Sequence, residues 1–188
     1  RTKKCRNMRK NKFFRRIGFD SPQLKKRSMD MLQKLKPYFL SATATLAVGG
    51  LSAFLTSGSM EVYKTVKTPP LSPPSWLFPV VWTILYILMS ISFARVLLER
   101  KRSPRMKRNT ICIYAINLFF NFMWSIFFFD CRAFLFSFVW LVLLWLIIFS
   151  MTVNFYRTDK ISGYMLIPYL LWVTFAGYLN AGICALNK

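Results

Sequence analysis

The sequence predicts an all-α membrane protein, a bundle of five transmembrane helices. The chain of 188 residues is 55% hydrophobic, yet it carries a formal net charge of +21 from 27 Lys and Arg against 6 Asp and Glu. The charges are segregated, and five stretches of about 20 residues or more lack any of them, which is the length that a helix needs to cross roughly 30 Å of hydrocarbon. These stretches are residues 37–60, 68–94, 109–129, 133–156 and 161–187. A soluble domain would lack the polar residues to cover them, and a disordered chain would lack the hydrophobic ones.

The basic residues predict the orientation of the chain. Residues 1–36 hold 14 of them and residues 95–108 hold 7. We therefore expect 1–36 to be a disordered cytoplasmic tail and 37–188 to be the transmembrane domain. An odd number of helices puts 23 of the 27 basic residues on one side, which places the N-terminus in the cytoplasm and the C-terminus outside. Because Met29 and Met31 stand just before the first apolar stretch, we expect residues 1–28 to be a non-essential extension.

Several classes of function are disfavoured by what the composition lacks. The chain has no His, and its 4 Cys are far apart in sequence, so we expect no metal site, no resident cofactor and no His-based catalysis. The absence of charged residues in the five stretches argues against a proton-coupled transporter. The tail has few aromatic residues between its charges, so nucleic acid is not an expected partner; membrane lipid is.

The first predicted helix, about 37–58, starts with Pro37 in its first turn. It carries small residues at i+3/i+4 spacing, and these favour close helix packing. The small residues are Ala42, Thr45, Gly49, Ala53 and Thr56. The following loop, 61–75, has four prolines in six residues, which forbid a helix and stiffen the chain. Such a rigid loop is suited to cap a pocket.

The second predicted helix, about 76–99, has Phe78, Trp82 and Tyr86 at i, i+4 and i+8, which places them on one face. The third, about 109–129, has Asn121 and Trp124 on one face. An amide in a membrane helix points into the bundle, where Asn121 serves either as a link between helices or as a ligand contact.

The fourth predicted helix, about 133–156, is almost purely apolar and is expected to face lipid or to pack. The fifth, about 161–187, has Trp172 one turn before Ala176, which makes room for a flat ligand or for a neighbouring helix. Together the second, third and fifth helices offer aromatic rings and amides. A pocket of this kind suits a planar apolar ligand, although aromatic stripes also serve as plain core packing.

Three stretches of the sequence resemble one known family. These stretches are PPLSPPSWLFPVVWTILYILM, NLFFNFMWSIFFF and PYLLWVTFAGYLNAGICALN. They are similar to motifs of the translocator protein family, also called tryptophan-rich sensory protein or peripheral benzodiazepine receptor. The resemblance covers about residues 37–188 and implies a five-helix bundle, usually a homodimer, with a ligand pocket near one membrane face.

Matching positions imply the residues of that pocket. The expected ligand contacts are Tyr63, Pro73, Phe78, Trp82, Tyr86, Asn121, Trp124, Trp172 and Ala176. Family ligands are porphyrins and other tetrapyrroles, sterols and synthetic compounds. The chain departs from the family at Thr68 to Leu71, in the loop, and it lacks the aromatic-then-basic pattern of sterol-binding members near its C-terminus. That departure and the charge pattern favour a bacterial plasma membrane and a porphyrin over cholesterol.

The leading hypothesis is therefore an integral membrane receptor or carrier that binds tetrapyrroles or similar planar apolar molecules, for sensing or transport. The alternative is an enzyme-like, light- and oxygen-dependent degradation of the bound porphyrin, although the sequence offers no acid, base or nucleophile for ordinary catalysis. A third class is a structural membrane protein whose aromatic stripes only pack.

Overall fold

Five long helices make up the described part of the protein in a computed structural model, which covers residues 22–59, 66–99 and 103–187. The helices are α1 Pro22–Thr56, α2 Leu77–Leu98, α3 Pro104–Ser125, α4 Phe134–Thr158 and α5 Lys160–Leu186. A 3-10 turn, Ser57–Ser59, follows α1, and a π-helical turn, Ile126–Asp130, follows α3. Each helix is long and apolar enough to cross a membrane, which confirms the predicted fold class.

Helix α1 begins at Pro22 rather than near residue 37, so the prediction that all of residues 1–36 are unstructured is wrong for 22–36. These residues are mostly Gln, Leu, Lys, Arg and Met, which are good helix formers. Pro37 lies inside the helix instead of in its first turn, where it removes one backbone hydrogen bond without ending the helix. Residues 1–21 lie outside the described part, and the division into a tail and a membrane domain stays a prediction.

The start of α3 also precedes the predicted one, at Pro104 rather than near 109. Ser103 caps the helix, because its Oγ accepts a hydrogen bond from the Met106 N–H at 3.3 Å. Proline fits the first helical position, where its missing N–H would have no partner in any case. The charged first turn is therefore part of the helix.

The turn between α4 and α5 ties these helices to the end of α2. The Asp159 carboxylate accepts hydrogen bonds from the Arg95 Nε at 2.7 Å and from the Ser162 hydroxyl at 2.6 Å. The Arg95 hydrogen bond is the largest cause that lowers the pKa of Asp159 to about 2, and the bonds from Ser162 act in the same direction. The Ser92 hydroxyl donates to the backbone oxygen of Ser162 at 2.8 Å, which adds a second link between α2 and α5.

The core lies where α4 and α5 pack on each other and on α2. Its fully buried residues on α4 recur at i+3/i+4 spacing. They are Leu144, Ile148, Met151 and Phe155. Gly163 of α5 lies against the Tyr156 backbone, where an added Cβ would be 2.6 Å from the Tyr156 Cα. A larger residue there would push the two helices apart.

Helix α1 turns a polar, small-residue stripe toward α2 and α3. The Ser41 hydroxyl donates to the Ser90 backbone oxygen at 3.0 Å, and the Thr45 and Tyr114 hydroxyls share a hydrogen bond of 2.6 Å. Two residues of the predicted small face, Thr45 and Gly49, lie on this stripe and contact neighbouring helices. The stripe continues through Ser52, whereas Ala53 is exposed.

Candidate functional site

A cavity of about 90 Å³ lies between α1, α2 and the end of α3. Its walls come from three helices and the π-helical turn. The lining residues are Gly49, Ser52, Ala53, Thr56, Phe78, Pro79, Trp82, Tyr86, Trp124, Ser125 and Phe129. We call this space the main cavity. Four of the residues predicted from the sequence meet there: Phe78, Trp82, Tyr86 and Trp124.

Four aromatic rings pack together beside the main cavity, and we call them the aromatic wall: Trp82, Tyr86, Trp124 and Tyr169. Trp82 is the central ring. Its ring centroid lies 5.5 Å from that of Tyr86, 6.3 Å from that of Trp124 and 6.1 Å from that of Tyr169. These spacings and the tilted or edge-on orientations are those that aromatic rings prefer. The i, i+4 spacing on α2 puts Trp82 and Tyr86 side by side, while α3 and α5 supply the other two rings. Three helices therefore supply the rings that pack against Trp82 in this wall.

Tyr86 is held by a glycine on one side and an amide on the other. Gly49 leaves room for the Tyr86 ring, since a Cβ at this position would lie 2.7 Å from the Tyr86 Cδ2. The Tyr86 hydroxyl donates to the Asn121 Oδ1 at 2.9 Å, and the Asn121 Nδ2 donates to the Tyr169 hydroxyl oxygen at 2.9 Å. Asn121 thus links three helices and lies behind the wall rather than in it. Of the two roles left open by the sequence, the geometry shows the link, and ligand contact stays a prediction.

A second, smaller space of about 20 Å³ lies between α2, the end of α3 and α5. It is lined by Phe78, Trp124, Phe128, Phe129, Ala176, Leu179 and Asn180. We call it the inner cavity. Phe78, Trp124 and Phe129 line both cavities, so these three rings form the partition between them. The two cavities therefore share one aromatic boundary.

Buried polar atoms without a hydrogen-bond partner lie at the inner cavity. The Trp124 Nε1 is an unpaired donor, and the Asn180 Oδ1 is an unpaired acceptor, although the Asn180 Nδ2 donates to the Ser137 hydroxyl at 3.1 Å. A buried polar group without a partner costs about 1–3 kcal/mol. A ligand with hydrogen-bonding atoms would recover part of this cost.

The remaining predicted site residues that the structure describes do not line the main cavity. Ala176 lines the inner cavity, while Trp172 lines neither and contacts the partition through its ring, 5.9 Å from the Phe78 ring. Pro73 is half-buried and lines neither cavity. Tyr63 lies outside the described residues.

The proline-rich segment 66–76 is fastened to α5. The Asn187 side chain exchanges two hydrogen bonds with the Lys67 backbone, at 3.0 and 2.9 Å, and the Tyr178 hydroxyl donates to the Pro70 oxygen at 2.9 Å. Between these links Pro69 is buried against Gly182, where a Cβ would lie 2.6 Å from the Pro69 Cγ. Since this segment leads directly into α2, its attachment fixes where the aromatic wall begins.

The α1 side of the main cavity and the π-helical turn are not among the features that the sequence predicts. Ser52 and Thr56 add hydroxyl groups to the α1 side, and Ser125 adds one from α3. The small-residue pattern of α1 is a usable signal for this side of the cavity, although the same pattern is also typical of helix packing. The π turn widens the end of α3 so that both Phe128 and Phe129 line the inner cavity, and no sequence pattern indicated it.

Within the described residues, no group of three or more His, Cys, Asp or Glu is arranged to hold a metal ion.

Comparison with known proteins identifies relatives. Residues 41–186 match the TspO/MBR family. The chain is 38% identical over 155 residues to protein CrtK of Rhodobacter capsulatus, which covers 80% of this chain and 90% of that one. It is 40% identical over 143 residues to tryptophan-rich protein TspO of Chlorobaculum tepidum, with 76% and 90% coverage. It is also 27% identical over 151 residues to the translocator protein of Sus scrofa, with 78% and 89% coverage.

Proposed function

This chain belongs to the TspO/MBR family of multi-pass membrane receptor and sensor proteins, and we propose that it binds a porphyrin or a similar planar apolar ligand in the main cavity. The observation that carries the proposal is the aromatic wall, in which Trp82 contacts three other rings. Flat faces of this kind suit stacking on a planar ligand. The hydroxyl groups on the α1 side supply the few polar contacts that orient a ligand.

The size of the cavity defines how such a ligand enters. The main cavity of about 90 Å³ is smaller than the roughly 150 Å³ of a protein cavity that binds benzene. A whole tetrapyrrole therefore requires that the walls move. We propose that one edge of the macrocycle enters beside Trp82 and displaces the partition rings, which opens the way to Ala176 and Asn180.

Titration with protoporphyrin IX tests the site, with the absorbance of the porphyrin as the readout. We expect Trp82→Ala to weaken binding about tenfold, because the loss of stacking with one aromatic ring is worth about 1 kcal/mol and the displaced ring also shapes the wall. The matched control is Trp145→Phe, since Trp145 lines neither cavity and donates its Nε1 to Thr174. The thermal midpoint of each variant monitors folding. Equal affinity of wild type and Trp82→Ala would refute the assigned site.

A second candidate is light- and oxygen-dependent degradation of the bound porphyrin. It is favoured by the contact of Trp82 with Trp124 and Tyr169, because the oxidisable rings of Trp82 and Trp124 line the main cavity and Tyr169 lies directly behind Trp82. Illuminated and dark samples with protoporphyrin IX distinguish the candidates. A new pigment that forms only with light, oxygen and protein would support degradation, and an unchanged porphyrin spectrum would remove it.

We further propose a bacterial plasma membrane location with the N-terminus in the cytoplasm, and a homodimer. The orientation rests on the distribution of basic residues along the chain, and the location rests on that distribution together with the missing aromatic-then-basic pattern near the C-terminus. Attachment of a thiol reagent to Cys131, which is exposed at the end of the π turn, tests the orientation. Labelling of intact cells by an impermeant reagent is expected, and labelling of inside-out vesicles alone would contradict it.

A further inference from the structure

A groove of about 410 Å³ on the outer surface of the bundle is unrelated to the aromatic wall. It lies between α1 and α3. It is lined by Val48, Leu51, Ala115, Leu118, Phe119 and Phe122, so its walls are wholly apolar. The Thr45–Tyr114 hydrogen bond holds the two helices together beside it. A groove with such walls at the depth of the membrane takes a hydrocarbon chain.

A cluster of cations lies on the same helix, nearer to its start and outside the lining of the groove. Arg108 stands one heptad before Ala115, so both lie on the same face of the helix, and Arg105 is its i−3 neighbour. Both arginine side chains are exposed, and α3 contains no acidic residue. From Arg108 to Ala115 the helix rises about 10 Å, and to Phe122 about 21 Å. One leaflet is about 15 Å deep, half of the roughly 30 Å hydrocarbon core, so an acyl chain that starts near Arg108 reaches Ala115 within one leaflet, and Phe122 lies just past the bilayer midplane.

We propose that this groove is a binding site for one anionic phospholipid. Its phosphate group lies against the guanidinium groups of Arg108 and Arg105, and one acyl chain follows the groove past Ala115 toward Phe122. The guanidinium group suits this role, because its planar donors match phosphate oxygens. The headgroup and the chain are thus recognised together, by charge at the helix start and by apolar shape below it.

Charge favours a lipid over a second copy of the chain. In a two-fold dimer formed through this groove, the same patch would face itself, and Arg108 would approach the Arg108 of the other copy. Like charges at the edge of an apolar contact oppose association, whereas an anionic headgroup neutralises them. A zwitterionic lipid would occupy the groove with its chain but would gain less from the arginines.

Native mass spectrometry of the full-length protein in detergent, with lipid added at known concentration, tests the site. The probes are dioleoyl phosphatidylglycerol, dioleoyl phosphatidylcholine, short-chain dihexanoyl phosphatidylglycerol and inorganic phosphate. We expect tightest binding of dioleoyl phosphatidylglycerol. Arg108→Gln should weaken it about fivefold, which is the effect of one basic residue at an anionic surface. Arg157→Gln is the matched control, because it removes one charge at the same end of the bundle, on α4.

The chain of the lipid is tested by filling the groove. Ala115→Phe should weaken binding of the long-chain lipid, while Ile116→Phe, which is exposed but lines no part of the groove, should leave it unchanged. Equal loss with Arg108→Gln and Arg157→Gln, or equal affinity for the two dioleoyl lipids, would overturn the site in favour of a diffuse charge effect. Binding of inorganic phosphate as tight as that of the long-chain lipid would also overturn it. A dimer free of lipid that Ala115→Phe dissociates would assign the groove to a second copy instead.

Discussion

Replacement of Gly49 by Ala should destabilise the protein, although Ala is normally the better helix residue. The new Cβ would lie 2.7 Å from the Tyr86 Cδ2 and 3.1 Å from its Cζ, closer than carbon atoms pack. The Tyr86 ring must move, and its hydroxyl then loses the 2.9 Å hydrogen bond to Asn121. Overpacking costs about 1–3 kcal/mol, and the lost hydrogen bond about 1 kcal/mol. The gain in helix propensity recovers about 1 kcal/mol, so the net loss of stability is about 1–3 kcal/mol.

The neighbouring glycine supplies the control for this experiment. An added Cβ at Gly50 meets nothing within 4 Å, so Gly50→Ala should raise stability by up to about 1 kcal/mol. Thermal unfolding in detergent compares the two variants, and a porphyrin titration follows, since Gly49 and Tyr86 both line the main cavity. We expect Gly49→Ala to lower both the unfolding midpoint and the porphyrin affinity. In a Tyr86→Leu background, we expect Gly49→Ala to lower the midpoint much less, because the ring that it displaces is absent. Similar midpoints for Gly49→Ala and Gly50→Ala would refute the reasoning.

Two further predictions concern the ends of the bundle. Because the pKa of Asp159 is held at about 2 in the folded protein, below its usual value near 3.8, its carboxylate stabilises the fold above about pH 4 and loses this effect as the pH falls toward 2. Asp159→Asn should therefore lower the thermal unfolding midpoint at pH 7 and have little effect on it near pH 2. The control is Asp130→Asn, at an exposed position, which should change the midpoint little at either pH. A difference between wild type and Asp159→Asn that does not depend on pH would contradict this account. Gly182→Ala should loosen the segment around Pro69, with faster hydrogen exchange there, while Gly177→Ala, whose Cβ meets only Leu141 at 3.7 Å, should not; equal exchange in both variants would count against the fastening of this segment to α5.

The helices of the bundle were largely predictable because their causes are local. Uncharged stretches of membrane length specify where helices lie, and the predicted bounds of the second, fourth and fifth helices agree with α2, α4 and α5 within about two residues. The start of α1 was not predictable in this way, because charged residues such as Lys34 and Lys36 mark the end of an apolar stretch but do not end a helix.

The candidate site was predictable only in part. The i, i+4 spacing predicts that Phe78, Trp82 and Tyr86 share one face of α2, since this depends on helix geometry alone. The rings that α3 and α5 add to the aromatic wall depend on how the helices pack. The π turn that brings Phe129 to the cavities depends on how the end of α3 meets α4, and that is a property of packing.

The sequence by itself determined that this protein is a five-helix membrane bundle with an aromatic face on α2, because segregation of charge and helical periodicity are written along the chain. Only the tertiary structure decided that Asn121 is used inside the bundle, that α1 completes the pocket, and that three rings divide it in two. Each of these depends on which side chains meet across helices. Several amides and small residues could have served, and the close fit of Gly49 against Tyr86 selects among them.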